Sequence, residues 1–115
     1  MQSYILTWVD PTELSNGSTP PSGDMITNVT VADLTSGTPV VIATLTWPAG
    51  SPVPTSYTWT PAAAGTYTLG VAVTDSNDQL SAYDTATVTV TAPTPPPFAA
   101  PTGLTIVPAP APTGT

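Results

Sequence analysis

The sequence predicts an all-β protein: an antiparallel β-sandwich over residues 1–91, followed by an extended Pro-rich C-terminal arm over residues 92–115. Three observations carry this reading. Thr, Val and Tyr alternate with small residues from about residue 3 to residue 91, the chemistry of a pleated, half-buried surface. No stretch of any length shows a 3.6-residue apolar period, and Pro interrupts most windows in which a helix would start. After Thr91 the composition changes abruptly, with Pro93, Pro95, Pro96, Pro97, Pro101, Pro108, Pro110 and Pro112 favouring polyproline II, which extends at ~3.1 Å per residue.

The first strand is expected over about residues 3–9, with Tyr4, Leu6 and Trp8 on one face. Residues 10–24 form a long turn rich in Pro, Ser, Asn and Gly. A second strand spans about 25–34, with Val29 and Val31 facing one way and Asn28 and Thr30 the other. The chain turns at Thr35-Ser36-Gly37-Thr38. It then returns over about 39–47, where Val41, Ala43, Leu45 and Trp47 share a parity. After a Pro/Gly loop at 48–54, a short strand over 56–60 aligns Tyr57 with Trp59. The clearest pair follows. Residues 66–74 place Tyr67, Leu69, Val71 and Val73 on one face, Asp75-Ser76-Asn77-Asp78 turns the chain, and 80–91 returns with Ala86, Val88 and Val90 inward and Thr85, Thr87, Thr89 and Thr91 outward. Asp84 falls on the inward parity of that strand. An unpaired buried carboxylate is costly, so a bulge or register change is expected between Tyr83 and Thr85, turning Tyr83 inward instead. In the arm, residues 102–107 carry a short strand pattern with Leu104 and Ile106 together.

Composition excludes whole classes of function. The 115 residues include 7 acidic side chains and no Lys, Arg, His or Cys, for a net charge of −7. Without His there is no imidazole base and no His-ligated metal; without Cys there is no thiol nucleophile, disulfide or zinc site; without Lys there is no Schiff base. With nothing to neutralise phosphates, neither a nucleic acid nor an anionic membrane surface is an expected partner. The charged fraction is 6%, far below the roughly 25% of an average soluble protein, so solubility rests on Thr, Ser, Asn and the net charge. The longest apolar run, Val40-Val41-Ile42-Ala43, is far short of the ~20 residues a membrane span needs. Met1-Gln2-Ser3-Tyr4 opens no basic and apolar leader, so a signal peptide is not expected. Asn16-Gly17-Ser18 and Asn28-Val29-Thr30 match the glycosylation pattern and are read as chance in a Thr/Ser-rich chain.

Ser56-Tyr57-Thr58-Trp59-Thr60-Pro61, Gly65-Thr66-Tyr67-Thr68-Leu69, Val73-Thr74-Asp75-Ser76 and Thr87-Val88-Thr89-Val90 together resemble bacterial immunoglobulin-like domains and the neighbouring PKD-type domains. The resemblance covers about residues 25–91. The Pro-rich loop at 48–54 and the Asp-Ser-Asn-Asp turn, which lacks the usual Gly, depart from it. It implies an immunoglobulin-like antiparallel β-sandwich, with Gly65-Thr66-Tyr67 at the corner opening strand F of that fold, where the Tyr hydroxyl bonds back to the backbone. Such domains serve as spacers in secreted glycosidases, as adhesin stalks, as surface-layer parts and as decorations on phage capsids and tails. Few are catalytic, and fold alone is a poor guide to role.

The candidate sites are weighed on that background. Two carboxylates suffice for glycoside hydrolysis, and the candidates are Asp10, Glu13, Asp24, Asp33, Asp75, Asp78 and Asp84. Most lie in predicted turns or at strand ends, where acids cap turns and solubilise the surface, so no catalytic residue is assigned. Asp75, Asn77 and Asp78 offer oxygens to calcium but lack the spacing of a calcium loop, and the turn reading is preferred. Trp8, Trp47 and Trp59 would make a sugar platform, yet each continues an inward strand parity, which favours the core; Trp47 is the one expected to be partly exposed. No cofactor or metal is expected. Partner binding is assigned to the arm: Pro95, Pro96, Pro97, Phe98, Leu104, Ile106 and Val107, docking on neighbouring protein subunits and adding a strand to a sheet edge. The expected function is that of a non-enzymatic structural protein. Its most specific form is a phage virion component such as a capsid decoration (cement) protein, bound to capsid or tail proteins or to itself and assembled in the host cytoplasm. The alternative is an accessory, spacer or carbohydrate-binding module of a secreted bacterial multidomain protein, extracellular or on the cell surface. Residues 94–108 would then be a linker, and Pro101-Thr102-Gly103-Leu104-Thr105, similar to the opening of a fibronectin-like domain, would start the next module.

Overall fold

β-branched and aromatic residues in alternation become strands where they can bury one face. The computed structural model describes residues 2–110, so Met1 and the end of the arm, Pro112 included, lie outside the described residues. Among the described residues all regular structure is β, in six strands: β1 (Tyr4–Thr7), β2 (Ile26–Asp33), β3 (Val40–Leu45), β4 (Ser56–Trp59), β5 (Gly65–Asp75) and β6 (Asp84–Val90). They form two antiparallel sheets, a two-stranded β1-β4 and a four-stranded β3-β2-β5-β6.

Burial follows the predicted parity at the centre. Val29 and Val31 are fully buried on β2, and Val29 pairs with Val73 while Val31 pairs with Val71. The aromatic β4 strand supplies the other half of the core. Trp59 is buried with Leu69 and Val90, and Tyr4, Leu6, Ile42, Tyr57, Tyr67 and Val88 pack around them. Tyr67 meets the Trp59 ring edge-on at 5.1 Å and Tyr4 lies tilted at 5.9 Å, the geometries that aromatic quadrupoles favour. The opposite face of the large sheet carries small residues at its centre. A Cβ on Gly70 would stand 2.6 Å from Leu34 Cδ1 and 3.1 Å from Tyr83 Cδ1, so Gly70 is the recess into which those two side chains fit.

Three expectations are corrected. Tyr83 does not turn inward: it leans on Gly70, on the face opposite Leu69 and Val71. No bulge lies between Asp84 and Thr85, because β6 pairs without a break from Asp84 opposite Val71 to Val90 opposite Gly65. The register does slip just upstream, where Leu80 bridges Thr74 one residue out of step with that ladder. Asp84 keeps the inward parity and needs no rescue, because that end of the sheet is open and its carboxylate is exposed. Val41 also leaves the face assigned to it. A bulge between Val31 and Ala32 sets Val41 opposite Ala32, while Ala43 and Leu45 stay opposite Val31 and Val29; Ile42 joins the Trp59 cluster instead. Finally, residues 102–107 form no strand: all of 92–110 is exposed and unpaired. The extended arm gives a radius of gyration of 27.4 Å and a longest dimension of 106 Å, about twice the ~13 Å radius of a compact chain of this length.

Leu69→Ala is expected to cost about 2–5 kcal/mol in denaturant unfolding, because it empties the contact beneath Trp59. Gly70→Ala is expected to cost about 1–2 kcal/mol by pushing Leu34 and Tyr83 off the sheet, and to be less than additive when combined with Leu34→Ala.

Candidate functional site

The residues assigned to partner binding lie along the exposed arm. Phe98 is 103% exposed, Leu104 86%, Ile106 89% and Val107 76%, values that leave each side chain without cover from the sheets. Pro95, Pro96 and Pro97 are exposed beside them. The arm presents an apolar series held out in water and does not gather into a pocket.

The sheets offer two clefts. The first, of about 370 Å³, is lined by Tyr4, Ile5, Leu6, Thr7 and Trp8 of the β1 segment, by consecutive β6 residues from Asp84 to Val88, and by Trp59, Leu69 and Val71 at its floor. Residues of both parities from each strand line it, so it runs along strand edges. Among the described residues both edges are unpaired, since β1 pairs only with β4 and β6 only with β5. This cleft escaped the sequence reading because alternation reveals faces, whereas edges depend on which strands pair.

The second cleft, of about 1,110 Å³, opens where β5 ends and β6 begins. Trp8 and Trp47 both line it, half-buried, whereas Trp59 is 7% exposed. The three tryptophans therefore do not form one platform: Trp59 belongs to the core, and the Trp8 indole N–H donates to Asp10 Oδ1 at 3.0 Å. Asp10, Glu13, Asp24, Asp75 and Asp84 also line this cleft. Two further acids are used structurally. Asp75 Oδ1 accepts the backbone N–H groups of Asn77 and Gln79 at 2.9 and 3.0 Å, and Asp24 Oδ1 accepts the Ser76 hydroxyl at 3.1 Å. Asp78 sits at φ 58°, a left-handed turn position that Asp tolerates. The Asp75-Ser76-Asn77-Asp78 segment thus closes on itself as a turn, and among the described residues no cluster of three or more acidic side chains is placed to hold a metal ion.

Two local bonds brace the frame. The Tyr67 hydroxyl donates to the Ala63 carbonyl at 2.8 Å, the back-bond expected at Gly65-Thr66-Tyr67. At the β2–β3 turn, Thr35 donates its hydroxyl and its backbone N–H to Asp33 Oδ1 at 2.5 and 2.9 Å. Thr35 Oγ1 in turn accepts the Thr68 N–H of β5 at 3.0 Å. The Thr35 hydroxyl and then its N–H hold the Asp33 carboxyl below its ordinary pKa.

No family model, curated protein or solved structure matches the chain.

Tyr67→Phe is expected to lower stability by about 1 kcal/mol, read by denaturant unfolding, through loss of the bond to Ala63. Thr35→Val is expected to raise the Asp33 pKa toward the ordinary aspartate value in an NMR titration. Because the folded-state pKa is the lower one, the stabilisation linked to Asp33 is present above the ordinary carboxylate range. It disappears as pH falls through the folded value, and Thr35→Val should flatten that part of the acid limb.

Proposed function

We propose that this chain is a non-enzymatic structural protein in which an immunoglobulin-like β-sandwich presents a Pro-rich arm to neighbouring protein subunits. Strand order supports the sandwich. The β1-β4 pair corresponds to strands B and E of that fold, and β3-β2-β5-β6 to strands C′, C, F and G. Tyr67 then stands at the start of strand F with its hydroxyl on upstream backbone, which is the tyrosine corner. Trp59 fills the space between the sheets that a disulfide and its Trp fill in antibody domains.

The observation that carries the function is the arm. It holds Phe98, Leu104, Ile106 and Val107 out in water, and apolar surface kept exposed on an ordered frame marks an interaction site. Pro fixes φ in advance, so seating the arm on a partner costs less ordering entropy than seating a flexible chain. The most specific form of this reading is a phage virion component, such as a capsid decoration protein, whose partners are capsid or tail subunits.

Sedimentation of native material, with the chain tracked by mass spectrometry, tests this reading. Digestion must avoid trypsin, since no Lys or Arg is present. Comigration with a megadalton particle is the expected result. Recovery only as slow soluble material, or within a longer secreted chain, replaces it with the accessory-module reading.

A further inference from the structure

We propose that residues 102–107 of one copy enter the edge cleft of a second copy and pair with the free edge of β1, joining copies head to tail. This rests on the arm being a docking element and names where it lands.

Four observations meet at this point. The β1-β4 sheet has only two strands, four residues each, and a two-stranded sheet is marginal without further support. Its open edge borders the 370 Å³ cleft, with Leu6 on one wall and Ala86 and Val88 on the other. The arm holds the complementary piece: Leu104 and Ile106 alternate with Thr105 and Val107, and Pro101 and Pro108 bound a six-residue run in which every residue has a backbone N–H. Leu104 and Ile106 supply the apolar face that Leu6, Ala86 and Val88 lack.

Electrostatics selects the same segment. All seven acidic residues lie between Asp10 and Asp84, so residues 85–115 carry no side-chain charge. Two acidic bodies repel, and the arm is the part of one copy that approaches another without a like-charge penalty. Stiffness favours a second copy over the chain's own cleft. Tyr4 packs on Trp59, Trp59 on Tyr67, and Tyr67 pairs with Val88, so the arm leaves β6 near the start of β1. An antiparallel partner of β1 must begin at its other end, beside Trp8. Returning there requires the chain to reverse within a segment holding Pro93, Pro95, Pro96 and Pro97, which favours straight polyproline II. An arm that runs outward meets the next copy instead. Such a contact is heterologous and closes into a ring or continues as a filament.

The test uses full-length chain in two variants. Leu104→Asp/Ile106→Asp removes the donor face, and Ala86→Arg blocks the cleft. All three positions are exposed, so neither variant removes a core contact. Sedimentation velocity of the unaltered chain should show mass at least doubling with concentration. Each variant alone should stay monomeric, and an equal mixture should form a 1:1 dimer and nothing longer, since one partner keeps only the cleft and the other only the arm. Amide exchange in β1 should slow as the unaltered chain associates and keep the monomer rate in Leu104→Asp/Ile106→Asp.

A chain that stays monomeric at every concentration overturns the proposal, as does association that survives Leu104→Asp/Ile106→Asp. Concentration-independent protection of β1 that this double variant abolishes assigns the arm to its own cleft, which also overturns it. The broader reading stands apart. A monomeric chain that still comigrates with a particle refutes only the pairing of copies, and self-association without a particle refutes only the virion role.

Discussion

No two side chains in this protein can form an ion pair, and much of its construction follows from that constraint. With seven carboxylates and no Lys, Arg or His, each acid must stay in water or accept hydrogen bonds from neutral groups, because a buried carboxylate without such partners is too costly. The structure uses both options. Asp33 accepts from Thr35, Asp75 from the amides of Asn77 and Gln79, Asp24 from Ser76 and Asp10 from the Trp8 indole, while Asp84 stays exposed. Among the described residues no buried side-chain polar atom lacks a hydrogen-bond partner. Cohesion falls to apolar burial, and the interior is small: Trp59, Leu69 and Val90 form its cluster, with Val29 and Val31 fully buried on β2. Threonine hydroxyls add cross-strand links at Thr66–Thr89 and Thr68–Thr87, each 3.3 Å long, on the outer face of β5 and β6.

That small interior explains the cleft beside β1. Four strands on one side and two on the other leave part of the large sheet without cover, and the uncovered part lies over β6. Asp84 can keep inward parity there because inward, at that end, means solvent. An exposed Ala86 and a half-buried Val88 on the same parity show burial falling off along β6 toward that end.

Sequence periodicity read this architecture well wherever a strand is regular. Five of the six strands fall inside their expected spans and β5 runs one residue past its span at each end; Tyr67, Leu69, Val71 and Val73 alternate through its middle, and Gly65-Thr66-Tyr67 marks the hydroxyl bond at Ala63. Reading failed where pairing sets the geometry. In β3 the run Val40-Val41-Ile42 is equally apolar at each position, so nothing in it shows which residue a bulge displaces, and in sequence Val41 simply shares the parity of Ala43 and Leu45. Turning Tyr83 inward would spare Asp84 from burial, but that end of the sheet is not buried. Trp8, Trp47 and Trp59 shared an inward parity in sequence, yet only Trp59 reaches the core; the other two line the wide cleft at the open end. The edge cleft had no one-dimensional signature, because its walls are adjacent only once β1 has paired with β4 and β6 with β5.

Charge is also distributed along the length of the body. Asp10, Glu13, Asp24, Asp75 and Asp84 line the wide cleft, and Asp78 lies in the turn beside it, so six of the seven acids gather at the end where β6 begins. The arm leaves from the other end of β6, six residues on, or ~20 Å at the usual strand rise. That exceeds the ~8–10 Å Debye length of physiological salt, so a surface docking against the arm end is largely screened from the acidic end. The body can therefore repel other bodies at one pole and offer neutral apolar chain at the opposite pole. A uniformly acidic surface of the same net charge would oppose contact from every direction. Concentrating the carboxylates at one end leaves the end from which the arm departs free of most of the like-charge repulsion.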